Sequence, residues 1–298
     1  MIGLTRREFV ALVASSVFTS RVVGETSNSP MIARPIPHSG ERLPAVGLGT
    51  ASVFDRDADD TRRSAAQVVR ALIDGGARLI DTASTYGDAE LVLGKVITAG
   101  SVRDKLFIAT KLEEPDESEL ERSLTRLRTR KVDLLQLHNV RDPRQSLARF
   151  RAWKAQGICR YVGITSTYHS DFDAVFAVLG REKPDFVQID YSIDNRVVEA
   201  RILPLAADVG AAVLTALPFG RGRLFRAVRD KPIPDWARPF AGSWAVFFLK
   251  YLLADERVTA VIPGTTSAAH MADNLGAMHG ALPDSAQRKR MVSFIAGL

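Results

Sequence analysis

The chain predicts one α/β domain, an eight-stranded parallel (β/α)8 TIM barrel with an N-terminal β-hairpin plug. Three observations predict it. Eight short, apolar, β-rich runs, at 45–50, 78–83, 106–111, 132–138, 161–165, 186–192, 211–217 and 258–264, recur mostly at intervals of roughly 25 to 33 residues, the length of a strand, a helix and two loops. The segments between them carry apolar residues at helical spacing. The runs are nearly continuous in apolar residues, the pattern of a parallel sheet covered by helices. Eight such units close a barrel more naturally than an open sheet, and 298 residues fit one barrel of about 250 residues plus an extension.

The elements follow in order. Residues 32–37, the turn His38-Ser39-Gly40-Glu41 and residues 42–46 read as a hairpin around a glycine turn, placed to plug the barrel floor. The first helix, 61–74, stops at Gly75-Gly76, a helix-ending signal. Residues 118–130, 143–156 and 243–254 repeat the helical spacing, and 283–296 forms a short closing amphipathic helix. One stretch breaks the rhythm. Residues 220–242 read as a long loop carrying Arg221, Arg223, Phe225, Arg226, Trp236 and Phe240, and loops longer than about 15 residues in compact domains are usually functional. Hairpin and barrel take residues 31–298 as one domain, with 1–30 set apart from it.

Composition sets the class. With 46% hydrophobic and 25% charged residues the domain is ordinary globular protein. The net charge of +6 is scattered, with no nucleic-acid motif, so no nucleic-acid partner is expected; steering of an anionic ligand is its remaining use. No metal is expected. The single cysteine, Cys159, excludes an internal disulfide, and its place at a strand entry reads as a small buried hydrophobe rather than a reactive thiol. Ahead of the barrel, Thr5-Arg6-Arg7-Glu8-Phe9 leads into a mildly apolar stretch from Phe9 to Phe18, too short to cross a membrane and suited to a signal-peptide core. It resembles a bacterial twin-arginine export signal, matching five of the seven positions of the Ser/Thr-Arg-Arg-x-Phe-Leu-Lys core; Val10 and Ala11 depart, and cleavage is expected after Gly24. The resemblance implies transient engagement of the twin-arginine translocase and a periplasmic or otherwise exported protein that folds, and loads any cofactor, before export. The mature chain would have no membrane span. A cytoplasmic protein with an amphipathic start is the alternative.

The chemistry sits at strand ends. Asp81 closes the second run, Tyr86 follows five positions later, Lys111 closes the third and His138 the fourth. In a parallel barrel these ends converge on one face, where an acid, a phenol, an ammonium and an imidazole make a proton-transfer apparatus. Each alone has a plainer reading: Asp81 a turn cap, Tyr86 a surface turn aromatic, Lys111 a snorkelling cation, His138 a satisfied core histidine. A Lys ending an apolar strand is costly unless paired, and Asp81 on the adjacent strand is the partner to expect.

The motifs GLGTA (47–51), GARLIDTASTYGDAELVLG (76–94), FIATKL (107–112), VDLLQLH (132–138), GICRYVGITS (157–166), FVQIDYS (186–192) and VTAVIPGTTSAAHMADNLGA (258–277) resemble the aldo-keto reductase family of nicotinamide-dependent barrels, over residues 32–298. The resemblance implies reversible hydride transfer between NADP, or alternatively NAD, and a small carbonyl or alcohol substrate, with Asp81, Tyr86, Lys111 and His138 as the catalytic tetrad. It also implies cofactor contacts at Gly49 and Thr50, at Thr165, Ser166 and Gln188 for the carboxamide, and at Pro218, Gly220, Arg221, Gly222 and Thr265 for the pyrophosphate. His270 and Asn274 would face the adenosine. The chain departs from the family in places. Ala216 stands where an aromatic stacks under the nicotinamide, Thr165-Ser166 replaces Ser-Asn, and Gly264 and His270 replace the Lys and Arg that grip a 2′-phosphate. Arg221 or Arg223 would have to substitute. Two other functions compete: a nucleotide-binding regulator or sensor without turnover, and a Schiff-base lyase with Lys111 as nucleophile.

Overall fold

The structure, a computed structural model, describes residues 30–140 and 143–298. The expected export segment before residue 30 lies outside the described residues, as do Arg141 and Asp142. The first two strands, β1 (Ala33–Pro35) and β2 (Arg42–Pro44), form an antiparallel hairpin with Ala33 opposite Pro44. Eight parallel strands follow in chain order: β3 (Leu48–Gly49), β4 (Leu79–Asp81), β5 (Phe107–Leu112), β6 (Val132–His138), β7 (Cys159–Ser166), β8 (Phe186–Asp190), β9 (Ala212–Ala216) and β10 (Ala260–Val261). The Gly47 N–H donates to the Val261 carbonyl at 2.8 Å and the Gly49 N–H to Pro263 at 3.0 Å. These bonds bring the first strand of the eight back to the last, so both edges of the eight-stranded sheet are paired.

Period-two alternation sorts each strand into an inner and an outer face. Leu79, Phe107, Leu134, Tyr161, Phe186 and Leu214 face the barrel interior and pack together. Ile36 and Leu43 of the hairpin, both fully buried, join that cluster. The hairpin thus plugs the floor as the sequence suggests. The outward residues, such as Ile80, Ile108, Leu135, Val187 and Val213, pack against the helical ring.

The ring forms where the spacing predicts it. α1 (Asp59–Asp74) ends at Gly75, followed by α2 (Ala89–Gly100). α3 (Glu117–Leu127) begins at Asp116, whose carboxylate accepts the Glu119 N–H, an N-cap typically worth about 1 kcal/mol. α4 (Pro143–Ala155), α5 (Phe172–Glu182) and α6 (Ile202–Val209) complete the middle of the ring. After α7 (Arg223–Ala227), α8 (Trp244–Leu253) is capped by Ser243, α9 (Ala268–Leu275) by Ser267, and α10 (Ser285–Ala296) by an Asp284–Gln287 capping box. Among the described residues no helix is long and apolar enough to cross a membrane.

The segment 220–242 corrects the sequence reading. It is not an open loop: it folds as a 3-10 turn at Gly220–Gly222, the helix α7 and a second 3-10 turn at Asp235–Ala237. Its aromatics supply the reason. Phe225 packs on Phe219 at 4.8 Å between ring centroids, and Trp236 packs edge-on to Phe247 of α8 at 6.1 Å. Phe240 is buried against the same helix. Cys159 is buried as expected, and burial pushes its thiol up to about 12. A cleft of about 720 Å³ opens between α1 and α2 on the outside of the barrel, lined in part by Arg63, Val69, Arg70, Ile73, Val96 and Lys105; none of the tetrad borders it.

Candidate active site

Three inner-face positions at the C-terminal strand ends and one turn residue carry the tetrad. Asp81 ends β4, Lys111 lies on β5 in the register Ala109 opposite Asp81, and His138 ends β6. Tyr86 rides the turn after β4, where its N–H donates to the Ala83 carbonyl at 3.2 Å. Gly87 follows with φ +56, and a Cβ there would lie 2.5 Å from the Asp55 carbonyl. Only glycine lets this turn lie against the segment after β3, where the Asp88 N–H donates to Asp55 at 3.0 Å.

Lys111 is fully buried and Asp81 nearly so. Lys111 Nζ donates to Asp81 Oδ2 at 2.6 Å and to the Thr82 carbonyl at 2.7 Å. It stands 4.9 Å from the centre of the Tyr86 ring. His138 meets that ring edge-on, with centroids 5.9 Å apart at 79°. All four predicted residues therefore come together. Burial opposes the charge on Lys111, but the Asp81 carboxylate and the Tyr86 oxygen outweigh it and hold the ammonium above its usual range. The Asp81 carboxylate 2.6 Å away favours the charged form of Lys111, which weighs against a Schiff-base nucleophile, since that chemistry needs the free amine.

The inner face also holds residues that the sequence reading passed over. Gln136, two positions before His138, donates from Nε2 to Asp81 Oδ1 at 3.3 Å and to Gln188 Oε1 at 2.8 Å. Gln188 Nε2 donates in turn to Asp81 Oδ2 at 3.3 Å. Asp81 thus receives donors from three strands, which keeps a buried carboxylate satisfied. Gly163 makes room for the network: a Cβ there would lie 3.0 Å from Gln136 Cγ. Period two was the available signal, since a Gln at one inner position and a His at the next share a face.

The expected cofactor residues fall on the same end of the barrel. Gly49 ends β3, and Thr50 follows with its hydroxyl buried and without a partner among the described residues. Thr165 and Ser166 end β7, both buried. The Ser166 hydroxyl, however, donates to Asp171 at 2.7 Å and accepts the Tyr168 N–H at 3.2 Å, so it is committed within its own loop. Gln188 reaches the centre but is bonded into the Asp81 network. After β9, Leu217 has φ +54 and Pro218 follows; Gly220, Arg221 and Gly222 run left-handed at φ +55, +54 and +80. Arg221 is exposed. Arg223 pairs instead with Asp194, NH2 to Oδ1 at 2.9 Å, tying the loops after β8 and β9 together. Thr265 accepts the Ser267 N–H at 3.1 Å just before α9, His270 is exposed in the first turn of α9, and Asn274 is buried in its last turn. Ala216 ends β9 with no ring over the site. This set fits a dinucleotide: buried polar atoms at Thr50 and Asp190 without a partner among the described residues, and the Ala268 and Ala269 amides in the first turn of α9 for an anion, the His270 N–H being capped by Ser267. The described residues hold no cluster with metal-ligand geometry.

Comparison with known proteins agrees with this geometry. The sequence matches the Aldo/keto reductase family over residues 45–293. The methylglyoxal reductase YeaE of Escherichia coli is 29% identical over 257 residues, covering 82% of this chain and 89% of that protein. The L-galactose dehydrogenase of Arabidopsis thaliana is 26% identical over 289 residues, covering 82% and 87%. In structure, the aldo-keto reductase of Klebsiella pneumoniae solved with NADPH superposes with a TM-score of 0.75 at 22% identity, covering 89% of this chain and 96% of that one; at that identity the likeness is one of fold. A family match spanning the whole barrel, with tetrad geometry at its C-terminal face, establishes that the chain belongs to the aldo/keto reductase family of oxidoreductases.

Proposed function

We propose that this oxidoreductase reduces small aldehydes and ketones, with 2-oxoaldehydes such as methylglyoxal among its substrates, using NADPH. The observation that carries the reading is the pairing of Lys111 with Asp81 at 2.6 Å beneath the Tyr86 ring. A reduced nicotinamide would supply the hydride. The chain's own residues handle the proton. A phenol near pKa 10 is a weak acid at neutral pH, and a fixed ammonium stabilises the phenolate left when Tyr86 gives its proton to the substrate oxygen. Asp81 keeps Lys111 in place and charged. His138 orients the same oxygen by hydrogen bonding. Thr50, Thr165 and Gln188 stand where a nicotinamide would be held, and the first turn of α9 where a pyrophosphate would be.

The methylglyoxal reductase activity named for the Escherichia coli relative supports this substrate class, and the NADPH-bound Klebsiella pneumoniae neighbour supports the cofactor. The test is Tyr86→Phe. Methylglyoxal reduction should fall by roughly 10²–10⁴ while NADPH binding, followed by tryptophan fluorescence, stays near wild type. Turnover above about a tenth of wild type would remove Tyr86 from the role of acid.

The Thr5-Arg6-Arg7-Glu8-Phe9 core supports export of the folded protein to the periplasm by the twin-arginine translocase. Replacing Arg6 and Arg7 with Lys should leave the full-length protein in the cytoplasm. Equal periplasmic recovery of wild type from a translocase-deficient host would refute that route.

A further inference from the structure

On the outside of the barrel α1 and α2 lie side by side. Small residues at Ala66, Ala99 and Gly100 leave the space between them unfilled, a cleft of about 720 Å³. Its α1 wall is one helical face, from Arg62 through Ala66 and Val69 to Ile73. The cleft therefore runs along that helix for about 16 Å, at ~1.5 Å per residue. Val69 and Val96 are buried and, with the half-buried Ile73 and Val102, make an apolar floor.

The charge around this floor is nearly all of one sign. Five cations and a single carboxylate, Asp74, border the cleft. Two of the cations are already satisfied: Arg62 donates to Asp57 at 2.5 Å, and Lys95 pairs with the same carboxylate. The other three are Arg63 and Arg70 on α1 and Lys105 in the 3-10 turn after α2. They are exposed, and their side chains have no hydrogen-bond or ion-pair partner among the described residues. Composition narrows the occupant further. No hydroxyl, amide or aromatic side chain lines the cleft, so no side chain there reads the hydroxyls of a sugar or stacks on a nucleobase. Thirteen residues line it, against about 20–30 on each side of a stable protein interface, while its volume falls within the roughly 300–1,000 Å³ of small-ligand sites. A membrane surface is a poor match, because the large apolar side chains exposed among the described residues, Tyr168, Val197, Phe225 and Leu298, all lie outside it. A slender apolar body with one anionic end matches both floor and rim.

We infer that this cleft binds the anion of a single-chain fatty acid, with the chain along the Val69 and Val96 floor and the carboxylate among Arg63, Arg70 and Lys105. Burial of methylenes supplies most of the affinity, and the cations select the charge of the head. None of the tetrad borders the cleft, so binding can be read without turnover. Isothermal titration of the full-length protein with monomeric decanoate, at about 0.15 M salt, should show one site. Decanol and decyltrimethylammonium lack the anion and should bind at least about fivefold more weakly. Hexanoate should bind at least about tenfold more weakly, since each fully buried methylene is worth about fourfold. Two variants at exposed positions locate the site. Arg63→Gln with Arg70→Gln and Lys105→Gln should weaken decanoate at least about fivefold and erase its preference over decanol. Ala66→Leu with Ala99→Leu fills the cleft and should weaken decanoate at least about tenfold. Circular dichroism checks the fold of each, and either folded variant decides. Absence of decanoate binding, equal binding of decanol, or wild-type affinity for decanoate in a folded variant overturns the assignment. So does binding to anionic phospholipid vesicles without binding of free decanoate, which would make this face a membrane contact.

Discussion

Asp185 and Asp190 stand at the two ends of one strand, and the molecule treats them in opposite ways. Asp185 immediately precedes β8, at the floor of the barrel. Its carboxylate accepts from Lys154 Nζ at 2.6 Å, from the Val162 N–H at 2.8 Å and from His38 Nδ1 at 3.0 Å. Burial works against its charge, but these donors outweigh it and hold the carboxyl below the usual 3.8. Asp190 ends β8 at the catalytic face. Burial pushes its carboxyl above 3.8, and the Asn195 side chain, with His169, Arg223 and Arg221 nearby, offsets that only in part. Its Oδ1 is buried without a partner among the described residues.

The contrast extends to the two faces. At the floor, Glu41 accepts from Arg78 at 2.9 Å and from the Tyr161 hydroxyl at 2.6 Å, and it also pairs with Arg160. Left-handed residues near this end, Ser101, Arg128 and Lys183, close helices α2, α3 and α5. At the catalytic face, Thr50, Gln136 and Asp190 leave polar atoms without a partner among the described residues, and Asn139, Val140, Leu217 and Arg221 hold left-handed backbone in loops. Carboxylates are paired where the barrel is plugged, although Arg34 and Arg103 each leave Nε without a partner there among the described residues, whereas at the site it is carboxylate, amide and hydroxyl oxygens that lack partners, where a ligand would bring them.

The larger test of that division is Asp185→Ala. It removes three hydrogen bonds and leaves the buried Val162 N–H without an acceptor, which should cost about 1–3 kcal/mol. Urea denaturation at pH 7 measures it. The pH dependence has a definite sign. A carboxyl held below its unfolded value stabilises fully above that value and loses its contribution as pH falls through the lower folded value. The wild type should therefore lose stability below about pH 4, and Asp185→Ala should lose less over the same range. Methylglyoxal turnover per folded molecule should stay within about twofold of wild type. A large loss of turnover would mean that the floor is coupled to the chemistry and that the two faces are not separate.

How much of this was legible follows from the same geometry. Asp81, Lys111 and His138 each interrupt an apolar run at its last inner position, so a strand pattern alone exposes them. Gln136 hides as one polar residue inside such a run, and its meaning appears only when Gln188, 52 residues away, meets it. The segment 220–242 looks like a loop in sequence because Phe225, Trp236 and Phe240 find their partners on α8, a tertiary fact that no local pattern carries. The commitment of Arg223 to Asp194 and of Ser166 to Asp171 is equally non-local in chemistry, though Asp171 lies close in the chain.

The smaller and sharper test is Asp190→Asn. Because the folded carboxyl sits above its unfolded value, the wild-type protein is penalised at neutral pH, where Asp190 must ionise in a partly buried site. The penalty fades as pH falls through the folded value, since the group is then protonated in the native state. Asparagine is neutral throughout, so the variant should be more stable than wild type at pH 7 by about 0.5–1 kcal/mol. The advantage should shrink toward pH 4. Asp190 lies opposite Ala216 in the β8–β9 register, at the catalytic face. A gain in stability there should therefore come with a several-fold loss of methylglyoxal turnover, the usual exchange when a functional group is relieved of strain. If Asp190→Asn is instead less stable at pH 7, the carboxylate is a satisfied structural group like Asp185, and the two ends of β8 are not opposites.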